Sequence, residues 1–436
     1  MTMNDLQPTE YRVLRADEIV PLLAREPSLR ALLDGDSSTW RVRDVADGNI
    51  NAVYLVDGVA GGVCVKQALP WLRVAGASWP LPIERAVFEN AYMRRIEPIV
   101  GALAPRWLHF DPVLHLIVME RLEPHVILRQ GLIKGRVFPD AARAVADYVA
   151  AACFHTSDLA NPFERKCEDL ALFSRNVALQ RITLDLIFTE PYIEAARNHW
   201  TEPWLDGWAA ALRNDLALRA VVARHRLHYL NHTQALIHGD LHSGSVMVTE
   251  QETRVIDGEF AALGPIGFDL GAFIANLLLA WFSKAGDAVA PVAGSAYRQW
   301  ILEQAVVFWQ RFDHRFRAHW SGHAAANDAY PASHFGSVAG QARLALIQRD
   351  YVGQVFDDTL AYAAIKMIRR IVGFAQVADF LAIGDLQLRA EAQAGALALA
   401  RDLLLQPHRF PDIAALVDAV PRYERAGLDP ELSRRA

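Results

Sequence analysis

Only three cysteines occur in the 436 residues: Cys64, Cys153 and Cys167, far apart and odd in number. No pair has the spacing of a metal site or a disulfide framework, so a reduced, cytoplasmic setting is expected. Blocks of Lys or Arg are missing, and the net charge is −6. That disfavours nucleic acid as a partner, because binding a phosphate backbone needs clustered cations. Long apolar runs are also lacking. The longest, 270–282, is too short to span a bilayer and carries Asn276. It reads as a buried helix, and no membrane association is expected. Residues 1–11 have no basic-then-apolar leader pattern. No repeat or low-complexity tract is evident.

What is present is apolar mass. Hydrophobic residues make up 52% of the chain and charged ones 22%, enough for a sizeable core. The length suits two or three domains.

The most informative stretch is 236–259, which holds Asp240, Asp257 and Glu259. Two β-prone runs, 246–248 and 253–256, flank the polar turn Glu250-Gln251-Glu252. This is a hairpin pattern. Asp240 and Asp257 are expected at the same end of it, with Glu259 alternating onto the side of Asp257. Three convergent carboxylates beside a Gly-containing loop suit Mg²⁺ held against phosphates, with one carboxylate left for an acceptor hydroxyl.

Upstream, 16–33 has helical spacing, and 40–45, 53–56 and 63–68 read as strands. Between the first two strands lies Asp47-Gly48-Asn49-Ile50-Asn51, a turn tolerant of unusual backbone angles. Lys66 sits among apolar neighbours in the third strand, and a buried Lys needs a carboxylate or phosphate partner. Residues 70–82, with Trp71, Trp79 and three prolines, read as a covering loop rather than a helix or central strand. A helix over 82–96 offers Glu84 and Glu89 as partners for Lys66. A strand over 113–119 ends at Glu120-Arg121-Leu122. From there the pattern is mainly helical: 140–156, 202–227, 268–282, 295–316, 360–380 and 385–405. Residues 317–337 read as the most flexible loop. His155 reads as structural, and His242 as either structural or catalytic.

His238-Gly239-Asp240-Leu241-His242 followed by Asp257-Gly258-Glu259 resembles the aminoglycoside-phosphotransferase-like branch of the protein-kinase fold. Further stretches narrow the resemblance to the methylthioribose kinase family: Asp47–Asn51, Val65-Lys66-Gln67-Ala68-Leu69-Pro70, Trp79-Pro80, and Lys366-Met367-Ile368-Arg369-Arg370-Ile371-Val372-Gly373. The segment 264–269 behind the acidic motif fits as well. The resemblance implies an α+β, protein-kinase-like two-lobe fold. An antiparallel-sheet-plus-helix ATP-binding lobe would span 1–119, a hinge 120–122, and a larger, mainly helical catalytic and sugar-binding lobe 123–436.

The resemblance also implies ATP-dependent phosphorylation of the anomeric hydroxyl of S-methyl-5-thioribose, in methionine salvage, by a homodimer. Asn49 would contact ATP. Lys66 would hold its α/β-phosphates, braced by Glu89. The backbone of Glu120, Arg121 and Leu122 would bind adenine. Asp240 would orient and deprotonate the sugar hydroxyl. Asp257, Gly258 and Glu259 would form the metal and phosphate segment, with Asp257 and Glu259 on Mg²⁺. Arg369 and Arg370 would reach the sugar hydroxyls or the moving phosphoryl group, and Arg389 is a third candidate. Ser245 stands where kinases carry a metal-binding Asn, and Glu259 would compensate. Gly258 would leave its backbone loose. The competing readings are a kinase of the same fold acting on choline, homoserine or an aminoglycoside, and an inactive ATP-binding module. The retained Lys66, Asp240, Asp257 and Glu259 argue against the last.

Overall fold

The computed structural model describes residues 10–45, 50–72, 76–285, 291–323 and 329–430. The chain divides into two compact units. Unit 1 is Met1–His125 with Ile256–Ala261, and unit 2 is Val126–Val255 with Ala262–Ala436.

Unit 1 begins with two short helices, α1 (Ala16–Leu23) and α2 (Pro27–Leu33), where sequence spacing had implied one. Pro27 has no N–H to continue a helix and instead opens the second one. Strands β1 (Arg41–Asp44), β2 (Asn51–Asp57) and β3 (Gly62–Ala68) follow. Next come the two-stranded ribbon β4 (Trp71–Leu72) and β5 (Gly76–Pro80), helix α3 (Arg85–Val100), β6 (Trp107–Asp111) and β7 (Leu116–Glu120). The expected covering loop thus contains the ribbon, which stands apart from the main sheet. The expected strand 113–119 begins inside a turn, where His115 takes a positive φ of 47°. β6, which pairs with β7, was not anticipated.

The main sheet has the order β1-β2-β3-β7-β6, antiparallel throughout. Its residues alternate between faces. Tyr54, Val56, Val63, Val65, Leu116 and Val118 join Ile19, Leu23, Leu29 and Leu33 in one core. Gln67 ends this inward row, accepting from the Leu14 N–H and donating to the Arg12 and Leu114 carbonyls. One residue out of step with that row, Lys66 faces the other side of the sheet.

Unit 2 opens with β8 (Val126–Ile127), α4 (Leu128–Ile133), α5 (Ala141–Thr156), α6 (Phe163–Phe173), α7 (Val177–Phe188), α8 (Asp206–Asn214) and α9 (Leu216–Asn231). The break between α8 and α9 splits the helix expected over 202–227. Asp215 caps α9 by accepting the Leu218 N–H. Three short strands and one more beyond the Ile256–Ala261 segment follow: β9 (Ala235–Ile237), β10 (Val246–Val248), β11 (Thr253–Val255) and β12 (Ala262–Gly264). β10 and β11 form the expected hairpin, with Val246 opposite Val255. Then come α10 (Gly267–Ser283), α11 (Pro291–Gly322), α12 (Ala332–Phe335), α13 (Val338–Val372), α14 (Ala378–Leu381), α15 (Leu386–Leu405) and α16 (Ile413–Ala419). Every residue of α10 is buried, Asn276 included. No described helix is long and apolar enough to cross a membrane.

Three more expectations need correction. Residues 317–322 of the expected loop belong to α11, and 324–328 lie outside the described residues. α13 starts 22 residues before the expected 360, because Ser337 caps it by accepting the Gly340 N–H. It ends at Val372, so the helix expected through 380 stops short.

Candidate active site

In unit 1, Lys66 and α3 meet on the sheet face opposite the core. Lys66 Nζ donates to Glu89 Oε1 at 2.8 Å and also pairs with Asp257. Burial opposes its charge, but Asp257, Glu89 and Glu259 together outweigh burial and hold its pKa well above the usual lysine range. Glu84, the other expected partner, is exposed.

Asp257 and Glu259 do not alternate along a strand. Asp257 adopts a left-handed backbone, φ 72°, and a 3₁₀ turn over Gly258–Phe260 follows. This reversal brings the carboxylate oxygens of Glu89, Asp257 and Glu259 within 4.8 Å of one another. Glu259 is buried and accepts from Asn51 Nδ2 at 3.0 Å. Burial pushes its pKa up to about 7, and the carboxylates of Asp257 and Glu89 add to the shift against Lys66 and Arg85. An oxygen-only set of crowded carboxylates fits a hard divalent cation, which would relieve that repulsion.

Gly258 is not loose. A Cβ placed there would lie 2.3 Å from the Tyr92 ring, so the ring on α3 and the glycine turn fix each other. Sequence reading missed Arg85, 2% exposed at the start of α3. Its guanidinium donates to Leu69 O, Pro82 O, Ile50 O and Asn51 Oδ1, and its Nε lies 3.7 Å from Glu259. Asn49, with Asp47 and Gly48, lies outside the described residues. Glu120 closes β7 opposite Val63 and accepts the Arg106 N–H. Arg121 pairs with Asp57 and Glu123, and Leu122 is half-buried.

In unit 2, Asp240 stands on the loop after β9. Asp269, at the start of α10, accepts the His238 and Gly239 N–H groups at 2.6 and 3.0 Å. The carbonyl of Asp240 accepts from the Ser245 hydroxyl at 2.9 Å. Ser245 is therefore a loop fastener, turned back on the chain. His242 Nδ1 accepts the Gly244 N–H, which leaves the proton on Nε2, 3.4 Å from Asp240 Oδ2. Burial holds the His242 pKa near 4, so the ring is neutral near pH 7. Burial alone would raise the Asp240 pKa. His242, Arg370 and Lys366 outweigh it and hold the carboxyl well below its ordinary range.

Arg369 and Arg370 occupy the last turn of α13, both half-buried. Arg370 donates to Ala375 O, and Arg369 Nε has no acceptor among the described residues. Arg129, unnoticed in the sequence, donates to Ser243 Oγ and Asn276 Oδ1. Arg389 donates to the carbonyls of Ile383 and Leu381. His155 packs against Phe154 and His319.

A lysine paired with crowded carboxylates in unit 1, and a carboxylate near lysine and arginine side chains in unit 2, are residue types that phosphoryl transfer uses. The chain matches the model of the Phosphotransferase enzyme family over residues 41–309. It is 38% identical to methylthioribose kinase of Escherichia coli O45:K1 (strain S88 / ExPEC), covering 96% of this chain and 99% of the relative. Identity to methylthioribose kinase 1 of Oryza sativa subsp. japonica is 39%, over 95% of this chain and 96% of the relative. Among solved structures, spectinomycin phosphotransferase APH(9)-Ia in complex with ADP and spectinomycin aligns with 94% of this chain and 100% of its own, at 11% identity and a TM-score of 0.42. The chain belongs to the methylthioribose kinase family, within the phosphotransferase enzyme family. As a kinase it uses ATP and a divalent cation.

Proposed function

We propose that the protein transfers the γ-phosphoryl group of ATP to the anomeric hydroxyl of S-methyl-5-thioribose, giving the 1-phosphate, as a step of methionine salvage. The observation that carries this reading is identity of 38–39% to methylthioribose kinases along nearly the whole chain. Asp257 and Glu259 would hold Mg²⁺, which would supply positive charge against the phosphates. Lys66 holds the α/β-phosphates and Glu89 fixes its ammonium. Asn49 contacts ATP, Gly258 belongs to the phosphate segment, and the backbone of Glu120, Arg121 and Leu122 receives adenine.

Asp240 orients the sugar hydroxyl. The bond between the anomeric oxygen and the γ-phosphorus forms, and the bond to the β,γ-bridging oxygen breaks. The hydroxyl proton passes to Asp240. Its low pKa makes it a weak base, which suits a loose transition state that needs alignment more than early proton removal. Arg369 and Arg370 supply donors for sugar hydroxyls. The protein acts in the cytoplasm as a homodimer. A polycationic aminoglycoside or a choline headgroup is disfavoured as acceptor, because Lys366, Arg370 and Arg129 all act on Asp240 or its neighbours.

An acceptor panel with Mg-ATP tests the reading. ADP release with methylthioribose, and none with choline, homoserine or kanamycin, is expected. Release with one of those and not with methylthioribose would overturn it. Asp240→Ala is expected to lower kcat by about 10²–10⁴-fold while ATP still binds.

A further inference from the structure

Lys366 precedes Arg369 and Arg370 on α13 by three and four residues, so all three cations share one helix face. Lys366 as a whole is 6% exposed. Among the described residues its ammonium has no hydrogen-bond acceptor, and it stands 3.5 Å above the Phe268 ring. Arg369 Nε is a second buried donor without an acceptor. Unmet donors of this kind are rare in native proteins and call for a ligand or another explicit account. A ring face is only a partial answer for a desolvated ammonium.

The local charge is lopsided. Lys366, Arg369, Arg370 and Arg129 gather where Asp240, Asp269 and Asp379 are the opposing acids. Asp269 already spends both oxygens on backbone N–H groups. Asp379 sits 3.7 Å from Arg129. Asp269 also acts on Lys366, and Asp379 on Arg370, so among these groups four cations face three acids, an excess of one positive charge. A neutral sugar supplies no charge to balance them, whereas a phosphomonoester supplies two negative charges.

We propose that Lys366 and the Nε of Arg369 form a phosphomonoester site, which binds the phosphoryl group once it is on the acceptor. This rests on the kinase reading above. The transfer converts a neutral acceptor into a dianion and places its proton on Asp240. The lysine ammonium takes up the charge that appears at that moment. Lys366 is then a product-side residue that discriminates sugar phosphate from sugar.

Calorimetric titration without nucleotide tests this in the full-length protein. Three probes are used separately: methylthioribose, methylthioribose 1-phosphate and inorganic phosphate. Lys366→Met keeps the length and removes the charge. It is expected to weaken binding of the 1-phosphate and of inorganic phosphate at least tenfold, and of methylthioribose less than threefold. Lys366→Arg is expected to retain the phosphate probes within about threefold. Equal losses for sugar and phosphate, or no loss for phosphate, would overturn the proposal. If wild type binds inorganic phosphate through Lys366 but neither sugar compound, the sugar assignment fails and the anion site stands.

Should Lys366→Met not fold, wild type read against pH decides. Burial brings the Lys366 pKa down to about 8, against Asp240 and Asp269 and with Arg370 and Arg369. Phosphate affinity is expected to fall about tenfold per pH unit above that value, and to stay flat in Lys366→Arg. A flat profile in wild type would refute the role of the ammonium.

Discussion

Asp269 accepts the backbone N–H of Gly239 at 3.0 Å, and that bond sets the position of the next residue, Asp240. Gly239 has a φ of 84°, a left-handed turn that glycine adopts at no steric cost. Asp269→Asn replaces one accepting oxygen with a donor that faces an N–H. Stability is expected to drop by about 1–3 kcal/mol. Turnover is expected to fall tenfold or more with the KM for ATP nearly unchanged. Chemical denaturation and steady-state kinetics check this. A parallel rise in the ATP KM would mean the damage is not confined to the Asp240 loop.

Gly258 packs against Tyr92 with no room for a methyl group. Gly258→Ala is expected to destabilise the protein by about 1–3 kcal/mol, the usual range for overpacking. Tyr92→Leu in the same chain should return part of it, because the two residues touch and their effects are coupled. A double-mutant cycle on melting curves measures this. Strict additivity would mean that the ring is not what forbids the side chain.

Much of the site was legible because it depends on short-range pattern. Lys66 stands out as a charge in an apolar strand, and the hairpin of β10 and β11 follows from two β-prone runs and a polar turn. The path of the chain after β11 was not legible. Period-two alternation was extended to Glu259, and the left-handed Asp257 broke it. Arg85, Arg129 and Asp269 were not singled out because most of their partners are remote in sequence. For Arg85 a signal existed. It shares a helix stripe with Glu89, Tyr92 and Ile96, all buried, and an Arg on such a stripe needs buried acceptors. The long start of α13 and the break in 202–227 turn on caps, Ser337 and Asp215, that hydrophobic spacing does not report.

His242 makes stability depend on pH. Burial lowers its folded pKa to about 4 from an ordinary 6.5. The unfolded chain therefore binds more protons between those values, and stability falls as pH drops through that window. Between pH 7 and pH 5 the loss from this one ring is about 2 kcal/mol, at 1.36 kcal/mol per unit. His242→Asn can still accept the Gly244 N–H but cannot titrate. Its stability difference between the two pH values is expected to be smaller than that of wild type by about this amount. Urea midpoints at both pH values measure it, and an unchanged difference would show that the ring is not the titrating group.

Arg85 ties the strand, ribbon and acidic turn of unit 1 together. Its guanidinium satisfies three carbonyls and the Asn51 amide oxygen, while Asn51 in turn donates to Glu259. Lysine offers one flexible ammonium and cannot span those acceptors. Arg85→Lys is expected to cost about 3–5 kcal/mol, the range for breaking a buried charged network. It should also weaken divalent-cation binding severalfold, because Glu259 loses the amide that aims it. Denaturation gives the first quantity and a Mn²⁺ titration the second. Loss of stability with full cation affinity would make Arg85 a brace for the sheet alone, with no part in holding the metal carboxylates.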